Sequence, residues 1–221
     1  MRRSLILLTA TFFISIVTAF AQERVAFDFG LRAGAPTNTL LESDSSGIAF
    51  GFMRQESFKR PFYTVGPTFA VVVYDRVLVQ FDALYKPIRF LTNDTTPVAV
   101  ISRSTRGGSW EFPLIFDYRF RHGTVKPYAG GGGVVGQTMS GLTETQAMFI
   151  STGRLERQSF QFGTFSNQLP AYIANAGFEF DTSHVVVRPE VRYTRWDTTN
   201  TNGVPKRRRD QVEFLIGFSV R

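Results

Sequence analysis

The sequence predicts an all-β protein, an eight-stranded antiparallel up-and-down transmembrane β-barrel that follows a cleaved signal peptide. Three observations carry that expectation: a basic then apolar leader, period-two alternation that recurs eight times after it, and connections that are short and long by turns. Composition bounds the alternatives. The 221 residues suffice for one domain with a full sheet. The absence of Cys excludes a disulfide framework, a Cys-ligated metal and a Cys nucleophile. A 43% hydrophobic share with 19% charged residues excludes a disordered polyelectrolyte, and 23 Phe would overfill one soluble core of this size. Some of those rings must face something other than water.

The leader comes first. Arg2 and Arg3 supply a positive start, Leu5 to Thr18 form an apolar run, and Ala19-Phe20-Ala21 present the small-x-small pattern that signal peptidase reads. The run is shorter than the ~20 residues a spanning helix needs. The leader therefore divides the chain into 1–21 signal peptide and 22–221 mature domain and implies export to periplasm, outer membrane or medium; the strand pattern that follows makes 22–221 an outer-membrane barrel domain and the bacterial outer membrane its expected destination.

Alternation then places the strands at 25–32, 61–74, 77–90, 109–120, 125–138, 168–180, 184–196 and 211–221. In the first, Val25, Phe27, Phe29 and Leu31 oppose Asp28, Gly30 and Arg32. In the second, Tyr63, Val65, Pro67 and Phe69 oppose Thr64, Gly66 and Thr68. The third sets Val77, Val79, Phe81 and Tyr85 against Gln80, Asp82 and Lys86, and the fourth sets Trp110 to Phe120 against Glu111, Asp117 and Arg119. Glycine and alanine blur the fifth and sixth. The seventh opposes Val185, Val187, Val191 and Tyr193 to Arg188, Glu190 and Arg192, and the last opposes Val212, Phe214, Ile216 and Phe218 to Glu213, Gly217 and Ser219.

A soluble barrel would have to fit its bulkiest face inside a closing cylinder, whereas a membrane barrel turns that face toward lipid. The small and polar face carries acids and bases together: Asp28, Asp82, Glu111, Asp117, Glu179, Glu190 and Glu213 with Arg32, Lys86, Arg119, Arg188 and Arg192. That mixture is expected to compensate itself as an interior charge network. Aromatics near strand ends, namely Tyr63, Tyr74, Tyr85, Phe90, Trp110, Tyr118, Phe120, Tyr193 and Trp196, are expected in interfacial girdles. The connections near 75–76, 121–124 and 181–183 are tight, while 35–60, 91–108, 139–167 and 197–210 are long and polar. Such alternation suits short periplasmic turns and longer extracellular loops.

Four segments in order, WEFPLIFDYR (110–119), KPYAGGGG (126–133), RPEVRY (188–193) and FLIGFSV (214–220), resemble the small outer-membrane β-barrel proteins of the OmpA/OmpX-like and PorT-like type. The resemblance covers essentially the whole chain after the leader. It implies insertion by the outer-membrane assembly machinery, which in such families usually reads a final aromatic residue. Here Val220-Arg221 close the sequence, with Phe218 third from the end.

Candidate chemistry is scarce. Gly131 to Gly136 spell G-x-G-x-x-G, but a dinucleotide site needs a helix to follow, and Gln137 to Gly141 open a polar segment. No cofactor or metal is expected. His122 and His184 fall at the expected periplasmic turns, the wrong end for an outer-leaflet hydrolase. Asp28, Glu111 and Glu190 are expected to be ion-paired rather than catalytic, with Arg188 and Arg192 flanking Glu190 at i±2. Asn93-Asp94-Thr95 matches a glycosylation sequon and reads as a polar loop. Lys206, Arg207, Arg208 and Arg209 form the charge run of the last outer loop. Export and the lack of interleaved aromatics argue against nucleic acid; the run reads equally as a solvated loop or as a contact for lipopolysaccharide phosphates.

The expectation is a non-enzymatic outer-membrane barrel with a closed, ion-paired interior and a structural, adhesive or surface-interaction role carried by its loops. Outer-membrane lipid and lipopolysaccharide would be its partners. The alternatives are a soluble secreted carrier of lipocalin type, which would put the Phe-rich face inside, an outer-membrane lipid-modifying enzyme, and a narrow pore.

Overall fold

A computed structural model describes residues 25–39, 45–48, 52–59, 61–120, 123–166, 171–182, 185–197 and 208–220, with backbone alone for 45–48, 52 and 162–166. The leader with Ala19 and Ala21, both histidines, and Lys206 and Arg207 lie outside the described residues.

The described strands are β1 (Val25–Pro36), β2 (Ser45–Ile48), β3 (Phe52–Lys59), β4 (Thr64–Val73), β5 (Val77–Asp82), β6 (Leu84–Thr95), β7 (Ala99–Arg119), β8 (Val125–Phe149), β9 (Leu155–Ser166), β10 (Ala171–Asp181), β11 (Val185–Trp196) and β12 (Asp210–Val220). β5 and β6 are one strand interrupted at Ala83, because both keep the same register against β4 and β7. With that pair counted once, eight antiparallel strands close into a barrel in the order β1, β4, β5/β6, β7, β8, β10, β11, β12, and β12 returns to β1. Closure leaves no free edge among aromatic-rich strands that would otherwise pair with other chains.

Paired residues followed once round run Phe29, Phe69, Phe81, Leu114, Gly133, Tyr172, Arg195, Asp210. The path ends beside Asn38 rather than Phe29, since Asn38 Nδ2 donates to the Asp210 carbonyl at 2.9 Å. The circuit thus climbs about ten residues, a stagger that goes with strands tilted by roughly 35–45°.

Parity follows the alternation. Along β1 the buried Asp28 and Arg32 point into the lumen, while Phe27, Phe29 and Leu31 are exposed outside. Two girdle expectations are corrected. Trp196 is fully buried, because it shares the inward parity of Arg192 and Thr194 on β11, and it packs with Ile115, Val134, Ala171 and Ile173. Phe90 shares parity with inward Ile88 and packs against Phe58. The others keep outward parity. Tyr85 and Trp110 stand opposite one another with ring centroids 5.4 Å apart, and Tyr118 meets Phe120 edge-on at 5.5 Å.

The outer connections are the larger correction. Segments 91–108 and 139–167 are not loops along most of their described length. β6, β7 and β8 run past the barrel and, with β3, β2 and β9, form a projecting antiparallel sheet in the order β2-β3-β6-β7-β8-β9. The alternation signal stops there because neither face of this sheet need meet lipid, while backbone pairing needs no such pattern. The β8–β9 hairpin turns on Gly153 at φ 64°, whose N–H donates to the Phe149 carbonyl at 2.8 Å. A bulge at Val135 lets Phe112 pair with Gly136 and Pro113 with Val134.

Candidate functional site

The Gly131–Gly136 segment lies wholly within β8, so its glycines present no helix N-terminus to a pyrophosphate. Glycine serves close packing instead. At Gly177 a Cβ would lie 2.4 Å from the Pro189 carbonyl and 2.7 Å from the Tyr128 hydroxyl, so the bare backbone makes room for an inward tyrosine. On the outer surface Gly108 is covered by the Tyr85 ring, which a Cβ there would meet at 2.2 Å. Gly177→Ala is expected to destabilise the barrel by about 1–3 kcal/mol through overpacking. An unchanged urea midpoint would show that β10 and β11 separate without cost.

All twelve residues of the expected charge network are buried inside the barrel. They stack in three tiers because inward positions on one strand recur every second residue. At the turn end, Glu179 receives Arg119, and also Arg188 at 2.8 Å, while Arg188 also pairs with Asp28. Arg188 Nη1 donates to Ser219 at 3.2 Å. Lys126 adds a base, 3.0 Å from Asp181 and 3.7 Å from Glu179. Asp75, in the turn after β4, stands 3.9 Å from both Arg119 and Lys126 and closes this end.

The middle tier is the densest. Arg32 lies 3.2 Å from Asp82 and 3.1 Å from Glu190, and Arg192 lies 2.8 Å from each of the same two acids. Two guanidiniums and two carboxylates thus form a closed four-membered ring of charge, the arrangement in which buried ions offset their desolvation best. Neutral side chains complete it. Tyr128 donates to Glu190 at 3.0 Å, Thr68 donates to Asp82 at 2.6 Å, and Gln80 accepts from Arg32 at 2.6 Å. Above this, Lys86 bridges Glu111 at 2.6 Å and Glu213 at 2.9 Å, and Thr64 donates to Glu213 at 2.9 Å. Asp117 is inward and buried, but no ion pair of 4 Å or less joins it to these tiers.

Of the two arginines flanking Glu190 in sequence, Arg192 pairs with it and Arg188 turns instead to Asp28 and Glu179. The second cation on Glu190 is Arg32, 158 positions away in the chain. The sequence reading missed Lys126 and Tyr128. Both occupy even positions beside outward Val125 and Pro127, a parity visible in KPYAGGGG but masked by the glycines that follow.

Chemically the interior holds eleven of the twelve charges in ion pairs, Asp117 being the exception, and seals all of them from solvent, which suits a packed core. The Trp196 cluster fills the β7–β8–β10–β11 wall, and Ile88, Met139, Phe58 and Phe90 lie above the Lys86 tier. Among the described residues no group of three or more His, Asp or Glu is placed to hold a metal ion. Arg208 and Arg209 stand immediately before β12, and Arg209 is exposed.

No family model matches this chain, and no curated protein matches it. Among solved structures it is similar to the outer membrane protein OprG from Pseudomonas aeruginosa, at 17% identity and a TM-score of 0.43, over 90% of this chain and 97% of that one. It is also similar to Ail, the attachment invasion locus protein of Yersinia pestis, at 12% identity and a TM-score of 0.39, over 89% and 96%. A third is Neisserial surface protein A, at 16% identity and a TM-score of 0.39, over 90% and 99%.

Proposed function

We propose that this protein is an integral barrel of the bacterial outer membrane, closed to solutes and without catalysis, that presents its projecting sheet for surface interaction. The observation that carries the reading is the inversion of its faces. Phe29, Leu31, Phe116 and Phe214 are each more than half exposed, while the bases Arg32, Arg188 and Arg192 are sealed inside. In water that arrangement is costly on both counts; in lipid the outer face is solvated and the inner one is paired. A carrier of lipocalin type would have the opposite parity.

Dimensions support the same placement. On β7 the outward stretch from Phe120 to Trp110 measures roughly 33 Å at about 3.3 Å per residue. A tilt near 40° reduces it to roughly 25 Å, the height of an apolar barrel band. Aromatic rings mark both ends of the stretch, and the leader supplies export. The protein is expected to require detergent for extraction and to migrate faster on a gel when unheated; recovery in the soluble fraction would end this reading. Reconstituted in liposomes it is expected to pass no steady single-channel current, and steady currents would refute the closed lumen.

The surface role rests on the sheet beyond the band. Among the described residues its two outer strands, β2 and β9, have a neighbour on one side only, unlike the strands of the barrel. Met53 and Phe160 on it are more than two-thirds exposed, which suits contact with another surface. Arg208 and Arg209, which precede β12 at the same end, and their sequence neighbours Lys206 and Arg207 would meet lipopolysaccharide phosphates.

A further inference from the structure

We propose that Lys59, Arg89 and Arg106 form a binding site for the phosphate groups of a phosphorylated outer-leaflet glycolipid, an inference that rests on the membrane placement above. The three bases are neighbours in the sheet although they are distant in sequence. Lys59 pairs in register with Arg89, and Arg89 pairs in register with Arg106, so three cations stand in one row across β3, β6 and β7. All three are exposed. Arg89 and Arg106 share the outward parity of the lipid-facing side chains on their barrel strands, four residues beyond Tyr85 and four before Trp110, and Lys59 on β3 takes the same face through its pairing with Arg89.

Like charges directly opposite one another on a sheet are destabilising, and nothing in the row offsets them. The next in-register neighbour of Arg106 is Leu142, followed by Gln161. No ion pair involves Lys59, Arg89 or Arg106 among the described residues, whereas Arg54 and Arg103, on the opposite face of the same strands, are both paired with Asp94. The one acid on that face among the described neighbours, Glu144, stands diagonally from Arg106 beside Leu142 and makes no ion pair with it, so three cations face at most one carboxylate and the row is open to an anion from outside the chain.

Its height identifies which anion. Four residues of tilted strand raise the row by on the order of 10 Å above the Tyr85–Trp110 pair, from the aromatic interface into the headgroup layer. Between the aromatics and the bases stand only Pro87 and Gly108, which carry no charge and leave the approach open to a headgroup. Two guanidinium forks and an ammonium match a phosphate ester in both charge and geometry. The row lies on the β6–β7 side of the barrel and Arg208 and Arg209 on the β12 side, so the row is separate from those two bases.

The test uses the whole folded barrel in phosphatidylcholine vesicles, with purified lipid A as probe. Removal of all three charges in Lys59→Gln/Arg89→Gln/Arg106→Gln is expected to weaken lipid A binding on the order of a hundredfold, from about fivefold per charge. Arg157→Gln, a single exposed base on β9, serves as the charge control and is expected to leave binding unchanged. Inorganic phosphate at matched concentration is expected to compete poorly, since the site takes its ligand from the bilayer. Equal lipid A affinity of the triple variant and the parent, or equal loss in Arg157→Gln, would overturn the site. Full competition by inorganic phosphate would overturn the lipid as its source. Failure of the parent itself to insert, read by heat-modifiable mobility, would instead strike the membrane reading.

Discussion

Glu190→Ala is expected to lower the stability of the barrel by about 3–5 kcal/mol, because it leaves buried arginine charge uncompensated. Glu190 accepts from Arg192 at 2.8 Å, Tyr128 at 3.0 Å, Arg32 at 3.1 Å and Gln80 at 3.4 Å. Without it, both guanidiniums share the single carboxylate of Asp82 in a site with no exposure to water. Neither arginine can shed its proton to escape the cost, since a guanidinium stays charged at any ordinary pH. The measurement is the urea midpoint of the vesicle-embedded barrel, followed by the heat-modifiable band. Glu144→Ala, at an exposed position of β8, is the control. A Glu190→Ala midpoint no lower than that control would mean that the middle tier does not support the fold. A paired change, Glu190→Leu with Arg32→Met, is expected to recover part of the loss, because removing both partners avoids the stranded charge.

Leu31→Arg should cost about 2–4 kcal/mol in a bilayer, the penalty for a base on the lipid face near the midplane. Leu31 is exposed, and its in-register neighbours are Pro67 and Phe218, neither of which could pair with a new guanidinium. Ala35→Arg, four residues nearer the outer rim on the same face of β1, should cost only about 0–1 kcal/mol. In a water-soluble barrel the same two substitutions would each stay within about 0.5 kcal/mol, as exposed surface changes usually do. The contrast between the two positions, more than either value, reads the solvent outside the barrel. Equal and small effects would contradict a lipid-facing exterior.

Much of the barrel was legible before any coordinates. Strand parity was readable wherever a strand separates two different environments, as in Val25 to Arg32 or Val185 to Arg192. The same logic assigned inward positions to the twelve charged residues. It failed where its premise fails. Above the aromatic ring both faces of β6, β7 and β8 lie beyond the apolar band, so Ala99 to Gly108 and Met139 to Phe149 carry no two-faced pattern and read as loops although they are paired strand. Trp196 departs from the girdle for a different reason: an aromatic near a strand end reads as an interface residue, whereas counting by twos from Arg192 turns it inward. Glycine hid Lys126 and Tyr128 because four consecutive residues without side chains leave no face to compare.

The sequence by itself determined which face of each strand meets which environment, because side chains alternate across a strand as a matter of covalent geometry. It could not say which acid meets which base. Arg32 reaches Glu190 and Asp82 only because the sheet closes on itself with a particular stagger, bringing β1, β5 and β11 to one height across the lumen. That stagger is a property of eight strands taken together, and no stretch of chain contains it. The same holds for the row of Lys59, Arg89 and Arg106, whose alignment comes from strand register. Local geometry sets a side chain's direction, whereas its partner is set by closure.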